Sequence, residues 1–291
     1  MPTDTATLIW CIVVPAIISA IACLICVRYG RGADGETTTA RTSFLSSMLA
    51  VSWCVSVALS LQASDSIDAL ANVDEDAWPK VIWPMLAVAI CVSPHAITKL
   101  RREPGLWVLG GISSVSAASV VMPNGDGWTD MLPLHQPWIA AVTVAATCNM
   151  WALHRMANHG AERWLMLVIL AGLACPAMIG ASTYGALLQA CLSAIITTIV
   201  MAIFAGFGRL TVSPAIVFPS TLFMATMIAS GRFFSYADVP PGAYGLALLA
   251  PSLVALADRM VTQRPVAVRI AVAAGTAILI VGFVAYRFLV S

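Results

Sequence analysis

The chain has 291 residues, of which 60% are hydrophobic and only 10% charged, with a formal net charge of +1 and a mean hydropathy of +0.90. Soluble globular chains hold about 45–50% apolar and about 25% charged residues. The shortage of charge excludes a soluble enzyme, a disordered chain and a nucleic-acid binder that works through basic patches. What remains is an all-α, polytopic transmembrane helix bundle forming one integral membrane domain over residues 1–291.

A helix rises about 1.5 Å per residue, so crossing a hydrocarbon core of about 30 Å takes roughly 20 apolar residues. Ten runs meet or approach that length. The first, Ala6–Val27, carries Pro15 and follows Asp4 with no Lys or Arg before it, so it is expected to be a retained helix rather than a secretory leader. The second, Phe44–Ala63, places Ser52, Ser56 and Ser60 on one helix face. Asp65–Asp76 follows as a solvated acidic loop, and then comes the third run, Val81–Thr98, with Pro84, Pro94 and His95. The fourth, Leu106–Met122, contains Gly110, Ser114 and Ala117 at the spacing of one face.

Asn124–Asp130 has alternating oxygen-bearing side chains like half a calcium loop, but no later Glu completes it. Its Asn-Gly and Asp-Gly dipeptides predict a turn. The fifth run is Trp138–Leu153, and the sixth, Trp164–Ala181, carries Pro176. The seventh, Tyr184–Gly206, aligns Gln189, Ser193 and Thr197 on one face. The eighth is Val212–Ser230. The ninth, Ala243–Ala257, is short unless its helix continues past Asp258 and Arg259 to Val261, and the tenth is Ile270–Phe288.

Alternate connections carry twelve of the fifteen basic residues, and the opposite side carries nine of the fourteen acids. Short cytoplasmic loops keep an excess of Lys and Arg, so both termini are expected outside the cytoplasm, in a cytoplasmic (inner) membrane. Eight of the nine tryptophans fall near a predicted boundary, where an amphipathic ring is favoured; Trp53 alone is mid-span.

All eight cysteines lie inside the runs and are expected to act as small hydrophobes. Cys23 and Cys26 have the spacing of a redox pair without a supporting neighbour. His95 and His154 approach the matched depth that a two-histidine haem needs, but interfacial histidines with water or phosphate partners are the plainer expectation. No metalloprotease, serine-hydrolase, Walker or dinucleotide motif is present. No catalytic residue, metal or cofactor is therefore expected.

No Asp, Glu, Lys or Arg sits near the middle of a run, so a proton path through a central carboxylate is not expected. Polarity is neutral and striped. Small and hydroxyl residues at this spacing serve close helix packing, and the same residues can line a path for a small neutral or zwitterionic solute. In that second use Gln189, Ser193, Thr197, Ser52, Ser56 and Ser60 are the candidate lining, with helix breaks at Pro15 and Pro176 freeing backbone carbonyls. Splitting the chain into halves 1–160 and 161–291 pairs those two prolines and those two stripes, as a five-plus-five inverted repeat would. A small-solute permease is the leading expectation. The alternative is a non-catalytic membrane scaffold, working as a homo-oligomer or a subunit of a membrane complex. Beyond the lipid bilayer, such a solute and such an oligomer or complex partner, no partner is implied, and no nucleic acid.

Overall fold

Within lipid a single chain segment satisfies its own backbone only as a helix. The computed structural model describes residues 5–30, 39–64, 67–70, 78–92, 103–123, 129–130, 132–158, 162–206, 214–234 and 239–290. Among the described residues there are ten long helices and no strand. α1 joins Thr5–Leu8 to Val14–Gly30 through a π turn at Ile9–Val13. The others are α2 (Thr39–Ser60), α3 (Ile82–Cys91), α4 (Glu103–Val121), α5 (Leu132–Asn158) and α6 (Glu162–Thr183). They are followed by α7 (Gly185–Gly206), α8 (Val217–Phe233), α9 (Pro241–Met260) and α10 (Val266–Val290).

Each apolar run overlaps one helix. Six helices, α1, α2, α6, α7, α9 and α10, are long and apolar enough to cross a membrane, which makes the chain a multi-pass membrane protein. The ninth run extends through Asp258 and Arg259 to Met260, a helix of 20 residues. α3 and α4 are shorter apolar helices as described.

α8 is the hub. It touches α3, α4, α5, α6 and α9, and every one of its side chains except that of Arg232 is buried. Ser220, Thr221, Thr226 and Ser230 give this enclosed helix four hydroxyls. Each of those hydroxyls donates to a carbonyl one turn back, at 2.7–2.9 Å, so none needs water. α2 lies beside the hub through Trp53, whose ring meets Phe223 edge-on at 5.5 Å. α7 closes the arrangement between α6 and α2, while α1 packs on α2 and α7 and α10 on α6 and α9.

Two glycines allow the hub its close approaches. A Cβ on Gly172 of α6 would collide with Met224 Sδ of α8 and with Pro251 Cγ of α9, and one on Gly231 of α8 would strike Ile179 of α6.

Aromatic groups mark the two ends of the bundle. At one end Trp78, Tyr184 and Phe234 form a run, and His135, Phe233, Trp138, Tyr244 and Phe288 form another. These residues stand where α3, α5, α7 and α9 begin and where α8 and α10 end. At the other end Trp107, His154 and Phe218 meet where α4 and α8 begin and α5 ends. Helices whose starts and ends alternate in this way run antiparallel to their chain neighbours.

Candidate functional site

The two serine and threonine stripes meet. α2 and α7 pack side by side, and Ser193 Oγ donates to the backbone carbonyl of Ser56 across the interface at 2.9 Å. A second tie lies one turn away on each helix, where Trp53 Nε1 donates to Thr198 Oγ1 at 3.0 Å. Trp53 is fully buried, which accounts for a tryptophan in mid-run: its polar edge has a partner within the protein.

The remaining members of the α2 stripe bond inward. Ser52 Oγ donates to the Leu49 carbonyl at 2.8 Å, Ser56 Oγ to that of Ser52 at 2.8 Å and Ser60 Oγ to that of Val57 at 2.7 Å. Ser56, Ser60, Ser193 and Thr197 each expose 0% of their surface, and Ser52 is half-buried. Small side chains at every fourth position thus bring the two backbones together, and the serines complete their polar contacts locally.

Gln189 stands toward the chain-starting end of α7 and is half-buried. Its Nε2 donates to Thr7 Oγ1 of α1 at 3.0 Å. Among the described residues, two polar atoms on this face, Gln189 Oε1 and Thr197 Oγ1, have no hydrogen-bond partner. The π turn of α1 also packs against α7. Pro15 lies two residues past the end of that turn, and α1 continues through it to Gly30. The wider turn relieves the clash between a proline ring and the carbonyl four residues back. Pro176 likewise lies inside the continuous helix α6; its ring withdraws the bond that Gly172 would otherwise accept.

One buried polar residue escaped the sequence patterns. Asn149, 1% exposed on α5, reaches α9 beside Pro251. Its Nδ2 donates to the Leu248 carbonyl at 2.8 Å, and its Oδ1 accepts from the Ser252 backbone N–H at 3.1 Å and from Ser252 Oγ at 2.6 Å. An amide inside a run that otherwise offers only hydroxyls, together with a proline in a later run, was the available signal.

Other sequence candidates are dispersed. The eight cysteines are free thiols; Cys91 and Cys148 are exposed and the rest buried. Cys26 Sγ donates to the Leu45 carbonyl at 3.4 Å. His154 packs between Trp107 and Phe218. His95, His159 and residues 124–128 lie outside the described residues, as does most of Asp65–Asp76. Among the described residues no three His, Cys, Asp or Glu side chains come together as a metal site.

No family model matches the chain, and neither a curated protein nor a solved structure matches it.

Proposed function

We propose that the chain is a packed, non-catalytic membrane scaffold, acting as a homo-oligomer or as a subunit of a membrane complex. The observation that carries this is the sealed α2–α7 contact. Of the hydroxyls that would line a solute path, that of Ser193 ties α7 to the Ser56 carbonyl and those of Ser52, Ser56 and Ser60 bond within α2, and Ser56 and Ser193 are 0% exposed. A buried hydroxyl with its bond already made has little left to offer a passing solute.

In this reading all ten helices cross the membrane, with both termini outside the cytoplasm, as the alternation of arginines and the antiparallel aromatic ends support. The partner surfaces are the outermost helices. α1 presents Ile17, Ile21 and Leu24, and α10 presents Leu279 and Phe283. No internal repeat is needed. Exchanging the halves would pair α8 with α3, yet among the described residues α8 packs against both α5 and α6, while α3 has α2, α4 and α8 as its helix neighbours.

A permease for a small neutral or zwitterionic solute is the second reading, favoured by the unpartnered Gln189 Oε1 and Thr197 Oγ1. Thiol chemistry separates the two. In a background without native cysteines, Ser56→Cys and Thr197→Cys are treated in sealed native membranes with a water-soluble maleimide. A sealed interface leaves both thiols unmodified until the protein is denatured. Rapid modification in the native membrane would show water at these positions and put the permease first.

A further inference from the structure

A partly open crevice of about 230 Å³ lies between α6, α9 and α10. Its walls are alkyl groups, among them Leu167 and Val168 from α6, Val254 from α9, and Ala274 and Ile278 from α10. At one end the walls stop at two charged residues, Asp258 and Arg269. The guanidinium is bidentate on the carboxylate, Nε to Oδ1 at 2.9 Å and Nη2 to Oδ2 at 2.7 Å.

From Arg269 to Ile278 the crevice follows α10 for nine residues, about 13 Å at the helical rise. One leaflet of hydrocarbon is about 15 Å deep. The space therefore has the length of one leaflet, is apolar along that length, and begins at charge. Leu167 and Ile278, exposed by 48% and 70%, form a rim that opens sideways, away from the hub.

The charge at the mouth is unbalanced. Arg259 ends α9 and Arg264 lies in the turn before α10; both are exposed. Among the described residues the single ion pair joins Asp258 to Arg269. The connection from Asp258 to Arg269 therefore holds three arginines and one carboxylate, a surplus of two positive charges next to the residues that end the apolar slot.

We infer that the α6–α9–α10 crevice is a binding site for an anionic phospholipid, with one acyl chain along the slot and the phosphate at Arg259 and Arg264. Basic residues at the end of an intramembrane groove suit an anionic head group, and the Asp258–Arg269 pair ties α9 to α10 at the entrance. The inference needs only that the chain sits in a membrane and is independent of the scaffold reading.

The test uses the full-length protein, purified in detergent and delipidated. Binding of dioleoyl phosphatidylglycerol and of dioleoyl phosphatidylcholine is measured by native mass spectrometry. Wild type should prefer the glycerol lipid. The double variant Arg259→Gln/Arg264→Gln, altered only at exposed positions, should bind that lipid about 30-fold more weakly, from about 1 kcal/mol per arginine, and bind the choline lipid as before. Ala274→Leu keeps both arginines but fills the slot, and should reduce binding of both lipids. Thermal unfolding of each variant confirms that it is folded. Equal binding of the two lipids by wild type, or undiminished binding by folded Ala274→Leu, would overturn the assignment. So would displacement of the bound lipid by inorganic phosphate alone, which would mark an anion site with no acyl slot.

Discussion

Asn149 takes the place of a backbone in its dealings with Ser252. Its carboxamide oxygen accepts both the N–H and the hydroxyl of that residue, while its amide nitrogen donates to the Leu248 carbonyl four residues earlier. Leu248 and Ser252 flank Pro251, which has no N–H to give. One side chain from α5 therefore braces α9 at the rung where a proline weakens it.

Asn149→Leu removes all three bonds and places an alkyl group against two backbone polar atoms. We expect a loss of about 1–3 kcal/mol in stability, read by thermal or denaturant unfolding in detergent. Ser252→Ala removes one hydroxyl and should cost only about 0.6 kcal/mol, the usual scale of a side-chain hydrogen bond in a membrane bundle. A double-mutant cycle between the two positions should show coupling. Additive losses would mean that the contact contributes nothing of its own.

Gly172 sits where α6, α8 and α9 come closest. Met224 can move its thioether aside, but the ring of Pro251 at 2.9 Å from the added Cβ is rigid. Gly172→Val should destabilise by about 1–3 kcal/mol through overpacking, and Gly172→Ala by less. An unchanged melting temperature for both would show that this crossing is loose.

The Ser56 contact gives opposite results for two substitutions. Ser56→Ala keeps the carbonyl that Ser193 uses and should be nearly silent, at about 0.6 kcal/mol or below. Ser56→Leu forces a larger side chain between α2 and α7 and should cost about 1–3 kcal/mol. Equal stability of both variants would place Ser56 at a cavity or a lipid-facing surface.

The Asp258–Arg269 pair is almost enclosed, with side-chain exposures of 7% and 16%. Arg269→Gln leaves a carboxylate without its counter-ion and should be strongly destabilising, by about 3 kcal/mol. Adding Asp258→Asn to that variant should restore part of the loss, since two neutral amides bury at lower cost than a lone charge. If the double variant is the less stable of the two, the pair does not govern the α9–α10 contact.

Membrane orientation is tested by labelling single cysteines in sealed cells. With both termini outside, thiols introduced by Asp74→Cys and Asp126→Cys should react with an impermeant reagent. Those from Thr38→Cys and Asn158→Cys should not. The reverse pattern would invert the orientation proposed here.

Much of the helix plan can be read along the chain because lipid demands uninterrupted apolar stretches, and Ala6–Val27 or Ile270–Phe288 can be little else. The meeting of α2 and α7 was also foreshadowed, since Ser56 and Ser193 lie on fourfold-spaced stripes that need a neighbour. α8 was harder to rank. Hydropathy measures preference for lipid, whereas α8 is wrapped by other helices, and its hydroxyls report protein surroundings instead. Asn149 is not legible in the sequence because a single amide makes no pattern; its meaning depends on Pro251, about a hundred residues away. The crevice has no signature in any one segment, since its walls come from α6, α9 and α10 at once.

The enclosure of α8 also bears on how the protein is made. Four of the helices around it, α3, α4, α5 and α6, precede it in the chain and leave the ribosome first. Enclosed in the folded protein everywhere but at Arg232, α8 emerges when most of its socket has already been made. α9 follows at once, carrying Pro251 toward Gly172 and Ser252 toward Asn149. A nascent chain halted after α8 would hold that helix in a socket with one wall missing, and would depend on the insertion machinery to keep it there until α9 arrived.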